Sequence, residues 1–171
     1  YLKNAFDKKP NLKLITMQAT RCCEGEKLID GMFQIDGKVF SAEEMLNFSV
    51  ENTNWLRNIL PKNILIGLEN NNYYPTKAYN IVADGDFITK VVNKNNLFLL
   101  LDIAHAMVTA HNKNISYEEY IESLPLDKLI QLHICQPELL DGEIARDTHN
   151  EPNDEMFSEV VRLINKYSTI K

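Results

Sequence analysis

The stretch LFLLLD, Leu97 to Asp102, constrains the fold more than any other part of the chain. Apolar residues follow one another without alternation and then meet a carboxylate. A strand with one wet face alternates polar and apolar residues, whereas an unbroken apolar run belongs to a strand covered on both faces. Such strands sit in sheets flanked by helices. The terminal Asp102 is costly in that setting unless a metal ion, a substrate or a cationic side chain pairs with it.

The rest of the chain repeats this unit. LKLITMQA (12–19), NILIGLEN (63–70) and KLIQLHI (128–134) read as further strands. Between them, SAEEMLNFSVENTNWLRNIL (41–60) opens with a capping box, Ser41 and Glu44, and continues as an amphipathic helix. DGDFITKVVNKN (84–95) is a short helix, SYEEYIESL (116–124) a capped one, and NDEMFSEVVRLINKY (153–167) another. The closing STIK has the start of a fifth strand. His111, in TAHNKN, reads as a solvent-facing loop residue. Asn70, Asn71 and Asn72 read as a turn, with Asn70 available to orient Glu69 or a ligand.

Alternating strands and helices leave a doubly wound sheet or a (β/α) barrel. No glycine-rich phosphate loop follows any strand, which weakens a dinucleotide site. Barrels carry their chemistry at the carboxyl ends of the strands, and the candidate residues fall there. Glu69 and Asp102 end strands, His133 lies near the end of one, and Asp147 and His149 follow in the loop beyond. A typical barrel has about 250 residues, so residues 1–171 are expected to form a single, partial (β/α) TIM-barrel domain. The chain starts without Met and is expected to be part of a longer one.

Composition narrows the functional classes. The net charge of -6 and the lack of a basic cluster argue against a nucleic acid partner. No apolar run is long enough to cross a membrane, and no signal-peptide pattern opens the chain. Cys22, Cys23 and Cys135 do not form a disulfide framework, so the expectation is a cytoplasmic protein. Cys22 and Cys23 read as packing residues. Cys135 shares a strand face with His133 and could approach a metal, but packing is the preferred reading.

Carboxylates and imidazoles together suit iron, manganese or zinc. Glu69, Asp102, His105, His133, Asp147 and His149 are therefore the predicted metal ligands, with Glu69, Asp102 and His133 assigned to catalysis. Asp102-x-x-His105 aims two ligands from one strand end, and Asp147-x-His149 puts two on one face of an extended segment.

LENNNYY, LLLDIAHAMVTAHNKNISYEEYIESLPLDKLIQLHI and RDTHNEP resemble segments of the multinuclear non-haem iron-dependent oxidative enzymes, among them the methanobactin-biosynthesis oxidase. That resemblance implies a xylose-isomerase-like barrel and puts Glu69, Asp102, His133, Asp147 and His149 on family metal positions. It implies two or three iron ions in a complete site, oxidation of cysteine residues in a ribosomally made precursor peptide, and a partner protein that recognises the leader peptide. The chain departs from the family at His105, which replaces an Asn, at Gln18, where a His is usual, and at Pro137, which replaces a second His. Further family ligands would lie before Tyr1 and beyond Lys171. Asp-x-x-His is also what the endonuclease and isomerase branches carry. A zinc or manganese hydrolase or sugar isomerase, and a non-catalytic barrel that has lost part of the site, are the alternatives.

Overall fold

Four parallel strands form the central sheet: β1 (Leu14–Gln18), β4 (Leu65–Glu69), β5 (Phe98–Asp102) and β6 (Leu129–His133), neighbours in that order. The computed structural model describes residues 8, 9 and 11–167, so the strand expected at STIK lies outside the described residues. Each strand pairs with the preceding strand of the sheet. This progression, with no reversal of direction across the sheet, is that of a (β/α) barrel and not of a doubly wound sheet. β1 and β6 are the edges among the described residues.

Helices cover the sheet. α1 (Ala42–Ile59) is closed by the expected capping box: Ser41 Oγ accepts from Glu44 N, and Glu44 accepts from Ser41 N at 2.8 Å. α2 (Gly85–Asn95) starts at Asp84, whose side chain accepts from Phe87 N. α4 (Tyr117–Glu122) starts at the Ser116 cap, and α5 (Asp154–Lys166) at Asn153. β5 is the buried centre: Leu99 and Leu101 are fully enclosed and join Val92, Ile103, Leu129 and Leu163 in one cluster.

The segment beyond β5 is helical, including the TAHNKN stretch expected as a loop. It forms α3 (Ile103–Lys113), with Asp102 as its cap and Asn114 in the left-handed conformation at its end. Asn tolerates that conformation because its short amide side chain can bond locally. His111 therefore stands in the last turn of α3 with its Nε2 3.0 Å from the Glu143 carbonyl, not in a loop. Two hairpins complete the structure: β2 (Leu28–Ile29) with β3 (Met32–Phe33), and β7 (Gln136–Glu138) with β8 (Arg146–Asn150). Cys22 and Cys23 pack with Ala78, Tyr79 and Val82 in a separate buried cluster behind the first hairpin.

Candidate metal centre

Parallel register sets the first three residues of the site. Asp102 and His133 are Cα partners at the carboxyl ends of β5 and β6, and Glu69 ends the neighbouring β4. His133 Nδ1 lies 2.8 Å from Asp102 Oδ2 and 3.5 Å from Glu69 Oε1. His105 enters from the first turn of α3, with Nε2 3.8 Å from Asp102 Oδ2 and 3.2 Å from Asp147 Oδ2. The β7–β8 hairpin folds back to deliver Asp147 and His149, whose Oδ2 and Nε2 are 3.0 Å apart. Asn112 holds the base of that hairpin: its amide accepts from Ala145 N and donates to Ala145 O. All six predicted residues thus meet at one end of the sheet, as Glu69–Asp102–His133 and Asp147–His149 linked through His105.

Asp102 is divided between two tasks. Oδ1 caps α3 by accepting from His105 N at 2.9 Å. Oδ2 is fully buried and, among the described residues, accepts no hydrogen bond; His133 Nδ1 is close, but no N–H is aligned on it. A carboxylate oxygen left in this state is expensive. Among the described residues, no Lys or Arg forms an ion pair with Glu69, Asp102 or Asp147. Three carboxylates facing imidazoles and one another are a donor set that fits a divalent cation.

The tautomers and charges follow. His105 Nδ1 is 2.8 Å from the Asn70 carbonyl, which can only accept, so Nδ1 carries the proton and Nε2 faces the carboxylates. Burial alone would lower the His105 pKa, but Asp147, Asp102 and the Asn70 carbonyl raise it above its ordinary value. Burial would raise Asp147, yet the hydrogen bonds from His105 and Cys135, with His149 nearby, hold it down at about 2.

Three residues matter more than their sequence patterns suggested. Asn70 and Asn71 do not make a solvent turn; both are buried. The Asn70 amide donates to Asp102 O at 3.0 Å and accepts from Asp102 N at 2.8 Å, so it fixes the end of β5. Asn71 ties the end of β1 through Ala19 O. Cys135 has Sγ 3.2 Å from Asp147 Oδ1 and joins neither hydrophobic cluster. His133 is 51% and His149 61% exposed, so the centre is open on the side these rings line. Beside it, a cleft of about 240 Å³ between β1, α1 and α2 is lined by Met17, Met45, Phe48 and Leu68, with Gln18 and Glu69 at its polar end.

The profile of the RiPP precursor modification enzymes MbnB/TglH/ChrH matches residues 39–170, a span that contains every predicted ligand. The chain belongs to that family. A UPF0276 protein of Vibrio parahaemolyticus is 30% identical over 113 residues, covering 64% of this chain and 38% of its own. A UPF0276 protein of Anaeromyxobacter is 26% identical over 132 residues, covering 75% of this chain and 46% of its own. The chain thus spans less than half the length of these relatives. A xylose isomerase domain containing protein of Salmonella typhimurium shares the fold, with a TM-score of 0.54 at 13% identity over 92% of this chain and 52% of that one. The family member described here therefore has the xylose-isomerase-like barrel architecture, of which its described residues form four strands.

Proposed function

We propose that this chain carries the metal centre of an enzyme that oxidatively modifies cysteine residues of a ribosomally made precursor peptide, with iron held by Glu69, Asp102, His105, His133, Asp147 and His149. The buried, unpartnered Asp102 Oδ2 amid carboxylates that have only imidazole partners carries this reading. Family membership supports the substrate class. Bound iron supplies the redox chemistry with dioxygen that carboxylates and imidazoles cannot perform themselves.

The chain's own residues do the rest. Asn70 holds the Asp102 backbone and, through its carbonyl, the His105 tautomer, so both ligands are set before a metal enters. The exposed rings of His133 and His149 border the approach for an extended peptide. Glu69 is the least buried of the three carboxylates and lies at the end of the apolar cleft. With Oε1 turned to the histidines of the centre, its other oxygen, Oε2, takes the proton of an entering thiol, while the cleft seats an apolar neighbour of the substrate cysteine. A partner protein that grips the leader peptide would fix which cysteine arrives.

A second reading, a zinc or manganese hydrolase or sugar isomerase, is favoured by His105, because Asp102 and His105 both face the centre from one strand end. Metal analysis of the full-length protein purified without oxygen separates the two. Iron, with oxygen consumed when a cysteine-containing precursor peptide is added, supports the oxidative reading. Zinc or manganese with hydrolytic or isomerising activity supports the second, and retention of no transition metal overturns both.

A further inference from the structure

We infer that Cys135 is a thiolate ligand of a metal ion held with Asp147 and His149, so that this chain's centre is part sulfur and not purely carboxylate and imidazole. The inference rests on the metal-binding reading above and deepens it. Cys135 Sγ, a carboxylate oxygen of Asp147 and a ring nitrogen of His149 all lie within 4.8 Å of one another. Ligand atoms that share one tetrahedral ion, at bond lengths of about 2.0–2.3 Å, stand about 3.3–3.6 Å apart. The two oxygens of the Asp147 carboxylate face the other two groups at close to that spacing, Oδ1 at 3.2 Å from Cys135 Sγ and Oδ2 at 3.0 Å from His149 Nε2.

A packing role does not account for this cysteine. Cys22 and Cys23 sit inside an apolar cluster, whereas Cys135 is equally enclosed but belongs to none and turns its sulfur to a carboxylate. The chain turns out of β6 at His133, and Cys135 follows two residues later, ahead of β7. The same turn thus offers an imidazole to Asp102 and a thiol to Asp147. The unpartnered Asp102 Oδ2 lies 3.8 Å from His105 Nε2, which in turn is 3.2 Å from Asp147 Oδ2, an independent sign that a cation belongs among these groups. As the ion enters, the S–H proton leaves to solvent and the sulfur binds as thiolate. A thiolate shifts the preference of the centre toward zinc and iron and away from magnesium and calcium.

The test is cobalt(II) titration of the full-length protein, purified metal-free and kept anaerobic. The wild type should develop a thiolate-to-cobalt charge-transfer band in the near ultraviolet. Cys135→Ser should lose it, while Cys22→Ser, whose sulfur faces the Lys77 carbonyl, should keep it. A band that survives Cys135→Ser, or cobalt bound in the wild type with d–d absorption alone, overturns the thiolate and leaves the carboxylate–imidazole centre standing. No cobalt binding at all overturns the metal reading as well. If Cys135→Ser does not fold, X-ray absorption of the zinc-loaded wild type decides: one sulfur at about 2.3 Å supports the inference, and a shell of nitrogen and oxygen alone overturns it.

Discussion

Asn70→Ala should be among the most damaging single changes near the centre, although Asn70 is not a predicted ligand. Its side chain is fully buried and makes two hydrogen bonds to the backbone of Asp102, at 3.0 and 2.8 Å. Truncation leaves the Asp102 N–H and C=O without these partners in the interior. Each orphaned group costs about 1–3 kcal/mol, so the expected loss is about 2–6 kcal/mol. With a urea slope of about 2 kcal/mol/M, that moves the unfolding midpoint down by about 1–3 M. The slope itself should not change, because the same surface is exposed on unfolding. Asn72→Ala is the control: Asn72 is half-buried and, among the described residues, its amide reaches only the Tyr74 hydroxyl, at 3.4 Å. It should stay within about 0.5 kcal/mol of wild type. Equilibrium unfolding followed by circular dichroism measures both. An Asn70→Ala midpoint indistinguishable from that of Asn72→Ala would refute the claim that this amide anchors the end of β5.

Three more outcomes are expected. His133→Ala should lower metal content far more than His111→Ala, because His111 lies in the last turn of α3 against the Glu143 carbonyl while His133 faces Asp102; equal content in the two variants, by elemental analysis, counts against the assignment. Gly85→Ala should destabilise the fold by about 1–3 kcal/mol, since an added Cβ would fall 2.7 Å from Ser123 Cβ at the start of α2, and an unchanged melting temperature would show that the α2–α4 junction can give way. In the metal-free protein, Asp147 is held at about 2 against an ordinary 3.8, so its ionised form stabilises the fold. That contribution is complete above its unfolded value and is lost as pH falls through about 2. Asp147→Asn should flatten acid unfolding across that window, and an identical acid profile for the two proteins would be the contrary result.

Much of this architecture was legible in local pattern. The apolar runs at 64–68 and 97–101 marked the strands covered on both faces, and the Ser41–Glu44 capping box marked the start of α1. Helix α3 was also legible: Asp102 is a cap residue, an apolar stretch follows, and Asn114 closes it. Asp102 is at once the last residue of β5 and the cap of α3, so the strand and helix signals overlap there. KLIQLHI was harder, because β6 is an edge strand among the described residues and His133 is half exposed on it, unlike the enclosed β5.

The amino-acid sequence by itself determined which residue types stand at the ends of which strands, since hydrophobic period and capping chemistry act within a few residues of each other. It also held the candidate ligands, because carboxylates and histidines gather at or just after the ends of the apolar strands. Only the tertiary structure decided which atoms face each other. Asn70 meets Asp102 across 32 residues of chain, and His105 meets Asp147 across 42. Those encounters depend on the register of parallel strands and on the path of the β7–β8 hairpin. Positive φ at His149 bends that hairpin away from a regular strand. The buried amide of Asn70, the unpartnered oxygen of Asp102 and the inward sulfur of Cys135 are all consequences of that long-range geometry. A polar residue in a sequence carries no mark of whether its partner is water or a distant strand; burial alone makes that choice costly enough to be specific.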